Sequence, residues 1–231
     1  ERNTKFSRLD SGKIDKRLIS SLGYGAERIF QQVMNDKFTP VNVHISIDAS
    51  GSMNGSRFEN CQTAVVAIAK AASMIDNMDV QISYRTTTAD KPIILIAYDS
   101  RVDSFRKVTS LFKHICSSEL TPEGLTFEAI KNELVAASGD KESYFINFSD
   151  GMPYCEPKGY AYYGTSAISH TRRQVDNMKA RGIKVLSYFI GNNDYNTSDD
   201  FISMYGKSAR TIDVTSLIPL AKTLNKMFLT K

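Results

Sequence analysis

Two short apolar runs in this chain each stop at a carboxylate. VNVHISID (Val41–Asp48) is dense in β-branched residues and has the length of a buried central strand. SYFINFSD (Ser143–Asp150) repeats the pattern much later in the chain. Between them, Ala64, Val65, Ile68, Ala69, Ala72 and Ile75 recur at a helical period, which predicts a helix from Arg57 to Ile75 with one broad apolar face. VQISYRT (Val80–Thr86) and PIILIAY (Pro92–Tyr98) read as strands joined by a polar TTTADK turn, as in an antiparallel hairpin. SFRKVTSLFKHI and PEGLTFEAIKNELVAAS read as amphipathic helices, the second with Pro122 and Glu123 suited to a first turn. A loop rich in Tyr, Gly and Pro follows Asp150. After it come a helix over 166–180, a strand IKVLSYFIG, a short helix SDDFISMYG, an edge strand ARTIDV and a closing helix LIPLAKTLNKMFL.

Strands alternating with helices predict an α/β fold: a doubly wound, mostly parallel, Rossmann-like sheet with one antiparallel edge strand and helices on both faces. Ligands in that architecture sit beyond the carboxyl ends of the strands. Asp48 and Asp150 face one crevice if their strands are neighbours. Residues 1–40 are polar and helical in pattern, broken at Gly23 and Gly25, and are expected to form a helical leader packing on a domain that spans 41–231.

Composition narrows the classes. Of 231 residues, 42% are hydrophobic and 23% charged, a globular balance that argues against a disordered chain, and no window has the apolar length of a membrane span. The net charge of +4 is modest and spread out, as on a solvated basic surface. Cys61, Cys116 and Cys155 are widely spaced, which suits reduced thiols in a cytoplasmic protein. His44, His114 and His170 are equally scattered, so neither a zinc site nor a His-based triad is indicated.

The carboxylates carry the candidate chemistry. Two of them in a partly dry crevice repel unless a cation lies between. Ser50 and Ser52 add neutral hydroxyl oxygens, hard donors that favour Mg2+ or Mn2+, with Ca2+ the other oxygen-seeking choice. Gly51 is expected to let the turn fold back so that both hydroxyls converge. The alternative is that the hydroxyls cap the following helix, with Ser52 or Asn54 accepting an amide hydrogen bond.

Asp48-Ala-Ser50-Gly-Ser52 resembles the Asp-x-Ser-x-Ser signature of von Willebrand factor A domains. Their metal-ion-dependent adhesion site (MIDAS) adds a Thr from a later loop and an Asp from a later strand end, and Asp150 in FSDGMP looks like that Asp. The resemblance runs from Lys37 to Phe228. More narrowly, SGKIDKRL, RIFQQ and the Glu123-Gly124 pair are similar to the intracellular A domains of cobaltochelatase T-subunits. Where commoner A domains have Gly-Gly-Thr-x-Thr, this chain has TPEGLTFEAI. Counting back from Ala129 and Ile130 puts Thr126 where the second Thr would fall and Gly124 where the ligand would fall; Thr126 is the first choice for the third-loop ligand, with Glu123 or Thr121 as alternatives.

The resemblance implies a non-enzymatic module that binds a protein partner's Asp or Glu through a divalent ion. Ser50 and Ser52 would coordinate directly, and Asp48 and Asp150 would anchor the ion, partly through water. It also implies an intracellular complex, with a MoxR or chelatase-type AAA+ ATPase as partner. Tyr154, Tyr160, Tyr162 and Tyr163 fall near the expected rim and suit a partner-binding loop. Enzyme readings lack their parts: Ser50 stands where a two-Asp phosphatase needs a carboxylate, no Walker loop occurs, and no general base is evident near the ion. Two further readings are a nucleic-acid-associated phage or bacterial accessory factor, using Arg101, Arg106, Lys107, Arg172 and Arg173 with the tyrosines, and a chelatase subunit.

Overall fold

Cross-strand pairing, not helical periodicity, organises the start of the chain. The computed structural model describes residues 2–36, 40–75, 77–134, 141–190 and 195–211. Strands β1 (Arg2–Leu9), β2 (Lys13–Ile14) and β3 (Phe30–Asp36), with one helical turn, α1 (Ile19–Leu22), form an antiparallel sheet in the order β1-β3-β2. The expected helical leader is therefore corrected to a small sheet. The apolar spacing of Ile29, Phe30, Val33 and Met34 fits a helix locally. The ladder from Arg2–Asp36 to Leu9–Phe30 gives Phe30, Val33 and Met34 cross-strand partners, and tertiary pairing overrides weak local preference. Buried Asp15 ties the connecting turn: it accepts the Arg17 amide at 3.1 Å and the Arg17 guanidinium at 3.0 Å. The chain divides into two compact units, Glu1–Thr39 and Pro40–Lys231.

The second unit runs β4 (Val41–Asp48), a 3-10 turn (Gly51–Met53), α2 (Ser56–Ala72), β5 (Met78–Thr88), β6 (Lys91–Asp99), α3 (Arg106–Leu111), α4 (Glu123–Ile130), β7 (Glu142–Ser149), α5 (Gly164–Ala180), β8 (Lys184–Phe189), α6 (Tyr195–Tyr205) and β9 (Ala209–Thr211). Its six-stranded sheet has the order β6-β5-β4-β7-β8-β9, parallel throughout except for edge strand β6. This is the expected fold class. The predicted closing helix lies outside the described residues. The helix predicted from Pro122 ends as α4 at Ile130, and part of its remainder also lies outside them.

From β4 the chain winds towards β5 on one side, and β7 begins the winding towards β8 on the other. The switch point therefore falls between β4 and β7, where a ligand crevice opens in such sheets. Alternation gives the central strands two unlike buried faces. One presents Val43, Ile45 and Ile47 with Val80, Ile82, Tyr84, Tyr144, Ile146 and Phe148, packed on Phe58, Cys61, Val65 and Ala69 of α2. The other carries His44, Ser46 and Asp48, in register with Gln81, Ser83 and Arg85 of β5, while His44 and Ser46 pair with Phe145 and Asn147 of β7. A polar stripe thus runs under the sheet to the crevice. Beside it, Phe145 joins a second core with Phe127 of α4, Val175 and Met178 of α5, and Phe201 of α6.

Candidate metal centre

Asp48 closes β4 and is fully buried. Its Oδ1 accepts the Ser50 amide at 2.9 Å, and its Oδ2 accepts the Ser149 hydroxyl at 3.0 Å and lies 3.6 Å from Arg85 Nη2. The Ser50 and Ser52 hydroxyls are 3.0 Å apart, and Ser52 donates to Asp150 Oδ1 at 2.9 Å. Arg57 Nη1 reaches Asp150 Oδ2 at 3.3 Å. The structure thus brings Asp48, Ser50, Ser52 and Asp150 together across the switch point.

The capping alternative finds little support. Neither Ser50, ahead of the 3-10 turn, nor Gly55, ahead of α2, makes a side-chain capping bond, and Asn54 Oδ1 accepts the adjacent Gly55 amide and the Ser117 hydroxyl. The Ser52 hydroxyl is bonded to the second carboxylate and the Ser50 hydroxyl to that of Ser52. The glycine that the turn requires for its backbone is Gly55, at φ 83°, and not Gly51. Gly51 instead leaves room for the next loop: a Cβ there would stand 3.4 Å from the Glu119 carbonyl oxygen.

That loop is clamped onto the turn. The Ser118 amide donates to Ala49 O at 2.7 Å, the Gly51 amide to Glu119 O at 2.9 Å, and Thr121 exchanges two backbone hydrogen bonds with Tyr154, each 2.9 Å. Thr121 consequently bridges the segment clamped on the Asp48 turn and the segment following Asp150. Thr126, which the count singled out, is buried within α4 and donates its hydroxyl to the Glu123 carbonyl at 2.7 Å. No hydrogen bond joins it to the cluster among the described residues.

Glu123 is committed elsewhere. Its Oε1 accepts Arg85 Nη2 at 2.8 Å and Asn147 Nδ2 at 3.0 Å, with both charged side chains fully buried. Burial pushes the Glu123 carboxyl upward against the pull of Arg85. Burial and then Asp48 push Asp150 upward, while Ser52 and Arg57 hold it down. Arg57, Arg85 and Ser149 were missed in the sequence. Arg85 carried a signal, a charge within the apolar run VQISYRT, and it aligns with Asp48 across the ladder.

The tyrosines separate into two kinds. Tyr154, Tyr160 and Tyr163 are exposed, with the Tyr154 and Tyr163 rings 5.9 Å apart. Tyr162 turns inward, its hydroxyl 3.0 Å from His170 Nδ1 and its backbone paired with Cys155. It packs over Gly124, where a Cβ would lie 2.3 Å from the Tyr162 oxygen. The basic residues are largely matched by acids: Arg101 with Asp99, Lys107 with Asp103, and Arg172 with Asp176.

Comparison with solved structures places this architecture. The A domain of the pilus tip protein Mfa5 from Porphyromonas gingivalis superposes with a TM-score of 0.65 at 11% identity, covering 85% of this chain and 98% of that one. The fold is that of a von Willebrand factor A domain. Manganese-loaded TRAP from Plasmodium vivax superposes at 0.54 with 14% identity, over 100% of this chain and 79% of the other. The pilus adhesin SpaC from Lactobacillus rhamnosus GG gives 0.61 at 15% identity, and the match spans 86% of this chain but only 32% of the adhesin. No protein-family model and no curated protein matches the sequence.

The oxygens in this A-fold crevice are hard donors of the kind that suits a divalent cation. Among the described residues, no three or more His, Cys, Asp or Glu side chains group together, and the oxygens gathered here are two serine hydroxyls with two carboxylates. The Ser50–Ser52 and Ser52–Asp150 spacings, 3.0 and 2.9 Å, lie within the range that oxygen ligands of one divalent ion adopt.

Proposed function

We propose that this protein is a non-enzymatic interaction module that binds a protein partner's carboxylate through Mg2+ or Mn2+ held at the β4–β7 crevice. The observation that carries the reading is the Ser50–Ser52–Asp150 chain of oxygens, directed across the switch point and not at a helix end. Ser50, Ser52 and Asp150 would hold the ion, with Asp48 behind them fixing the Ser50 turn. Thr121 replaces Thr126 as the proposed third-loop donor, since the Thr126 hydroxyl is engaged by its own helix. A bound divalent ion supplies a positive centre that an acidic side chain can complete. Exposed Tyr154, Tyr160 and Tyr163 would frame the partner, while Tyr162 holds the loop in place.

Support by analogy comes from the mussel byssus matrix protein PTMP1, described with a zinc-occupied MIDAS motif, and from manganese-loaded TRAP. Several similar structures are pilus proteins, which favours adhesion-type contacts with protein. An AAA+ partner and a chelatase complex rest only on the cobaltochelatase-like motifs, and an intracellular setting rests on those and on the three free cysteines. No helix among the described residues is long and apolar enough to cross a membrane.

Retention on immobilised polyglutamate tests this reading. Wild type should bind in Mg2+ at physiological salt and elute with EDTA, and Ser52→Ala should not bind. Retention that persists in EDTA would assign the binding to surface charge and sink the proposal.

A further inference from the structure

Arg57 stands beside the carboxylate that the proposed ion would share, and this inference rests on that proposal. It sits in the first turn of α2, where the helix's own N-terminal partial charge disfavours a cation. Its guanidinium nevertheless lies 3.3 Å from Asp150, with its side chain 38% exposed and that of Asp150 only 2%. The guanidinium is therefore at the mouth and the carboxylate beneath it. Deeper in, Arg85 lies between Asp48 at 3.6 Å and Glu123 at 2.8 Å, with no exposure at all.

Three carboxylates thus share two guanidiniums, leaving one negative charge unbalanced. A divalent cation turns that excess into one positive charge, which a single ligand carboxylate neutralises. Arg85 is enclosed and cannot turn outward, whereas Arg57 has solvent on one side. Once a cation neutralises Asp150, the Arg57–Asp150 attraction weakens. The planar, multiply donating guanidinium is then free for the kind of partner it fits best, a carboxylate.

We infer that Arg57 sets ligand specificity at this site by competing with the cation for Asp150 and then contacting the carboxylate of the protein ligand. The two roles have opposite consequences for one substitution. Removing the guanidinium relieves competition and tightens metal binding, and it also deletes a ligand contact and weakens carboxylate binding. A residue that merely held α2 in place would weaken both.

The test uses the full chain as wild type, Arg57→Met and Arg57→Lys, with Mn2+ alone followed by a capped peptide containing one Asp in saturating Mn2+. Calorimetry should show Arg57→Met binding Mn2+ about five- to tenfold more tightly and the peptide about five- to tenfold more weakly. Arg57→Lys should stay near wild type for Mn2+ and fall between the other two for the peptide. Unchanged or weaker Mn2+ binding by Arg57→Met overturns the competition, and unchanged peptide binding overturns the ligand contact. A wild type that takes up Mn2+ but no peptide also overturns the ligand contact. Should wild type take up no Mn2+, the proposed function itself fails, an outcome distinct from Arg57→Met behaving as wild type.

Discussion

Replacing Glu123 with Gln shows how the protein tolerates a guanidinium with no solvent. Arg85 and Glu123 are both fully buried and 2.8 Å apart, joining β5 to the start of α4 directly below Asp48. Removing one partner of a buried ion pair costs about 3–5 kcal/mol, because the other charge is left uncompensated. Gln keeps the shape and one acceptor oxygen, and Asp48 at 3.6 Å supplies part of the missing charge. The expected loss is therefore nearer ~2–3 kcal/mol. For a unit of this size, each kcal/mol moves the melting temperature by about 2–4 °C, which predicts a drop of roughly 4–12 °C. Arg85→Met alone should be comparably destabilising, since it strands Glu123. The double variant removes both charges and should recover most of the loss. Urea unfolding of wild type, both single variants and the double variant measures the coupling directly. A Glu123→Gln variant within about 0.5 kcal/mol of wild type, or a double variant worse than either single, would refute a balanced buried pair.

Three further outcomes follow from the same geometry. His44, bonded to Gln81 and Ser83 and stacked on Phe145, is pushed down to about 4 by burial. The native state then holds fewer protons than the unfolded chain between the unfolded value of about 6.5 and 4, so stability falls as pH drops through that window, by about 3 kcal/mol in all; His44→Gln should flatten the urea midpoint-against-pH curve there. Gly124→Ala should cost about 1–3 kcal/mol in urea unfolding, because its Cβ meets the Tyr162 oxygen at 2.3 Å and the Thr171 backbone at 3.0 Å; Tyr162→Phe should rescue only part of that loss. Thr121→Ala should weaken Mn2+ binding measured by calorimetry about tenfold or more, whereas Thr126→Ala should leave it near wild type.

The sheet was legible because its signals were local. Val41–Asp48 and Ser143–Asp150 end where the topology reverses, so strand composition and terminal carboxylates located the crevice. Asp48, Ser50 and Ser52 were readable as one turn. The proposed third-loop donor was not, because α4 begins two residues after Thr121 with no Gly-Gly run to mark the loop, and the count slid into the helix. The leader failed for a different reason. β1 and β3 are separated in sequence, and their pairing decides the outcome against local helical periodicity. Arg57 acquires meaning only when α2 is brought beside Asp150, which no spacing rule displays, whereas Arg85 shows in the sequence as a charge within a strand but gains its partners only in the fold.

The measurement that bears most directly on the central claim is a thermal melt of EDTA-stripped protein with added Mg2+ or Mn2+, run on wild type and Ser52→Ala. Ser52 is exposed, so its loss leaves the fold intact. An ion that binds only the native state stabilises it by about 2.7 kcal/mol at a hundred times its Kd. Wild type should therefore gain about 5–10 °C, and Ser52→Ala should gain little. A wild-type melting temperature indifferent to both ions, or an equal gain in Ser52→Ala, would contradict a metal centre at this crevice.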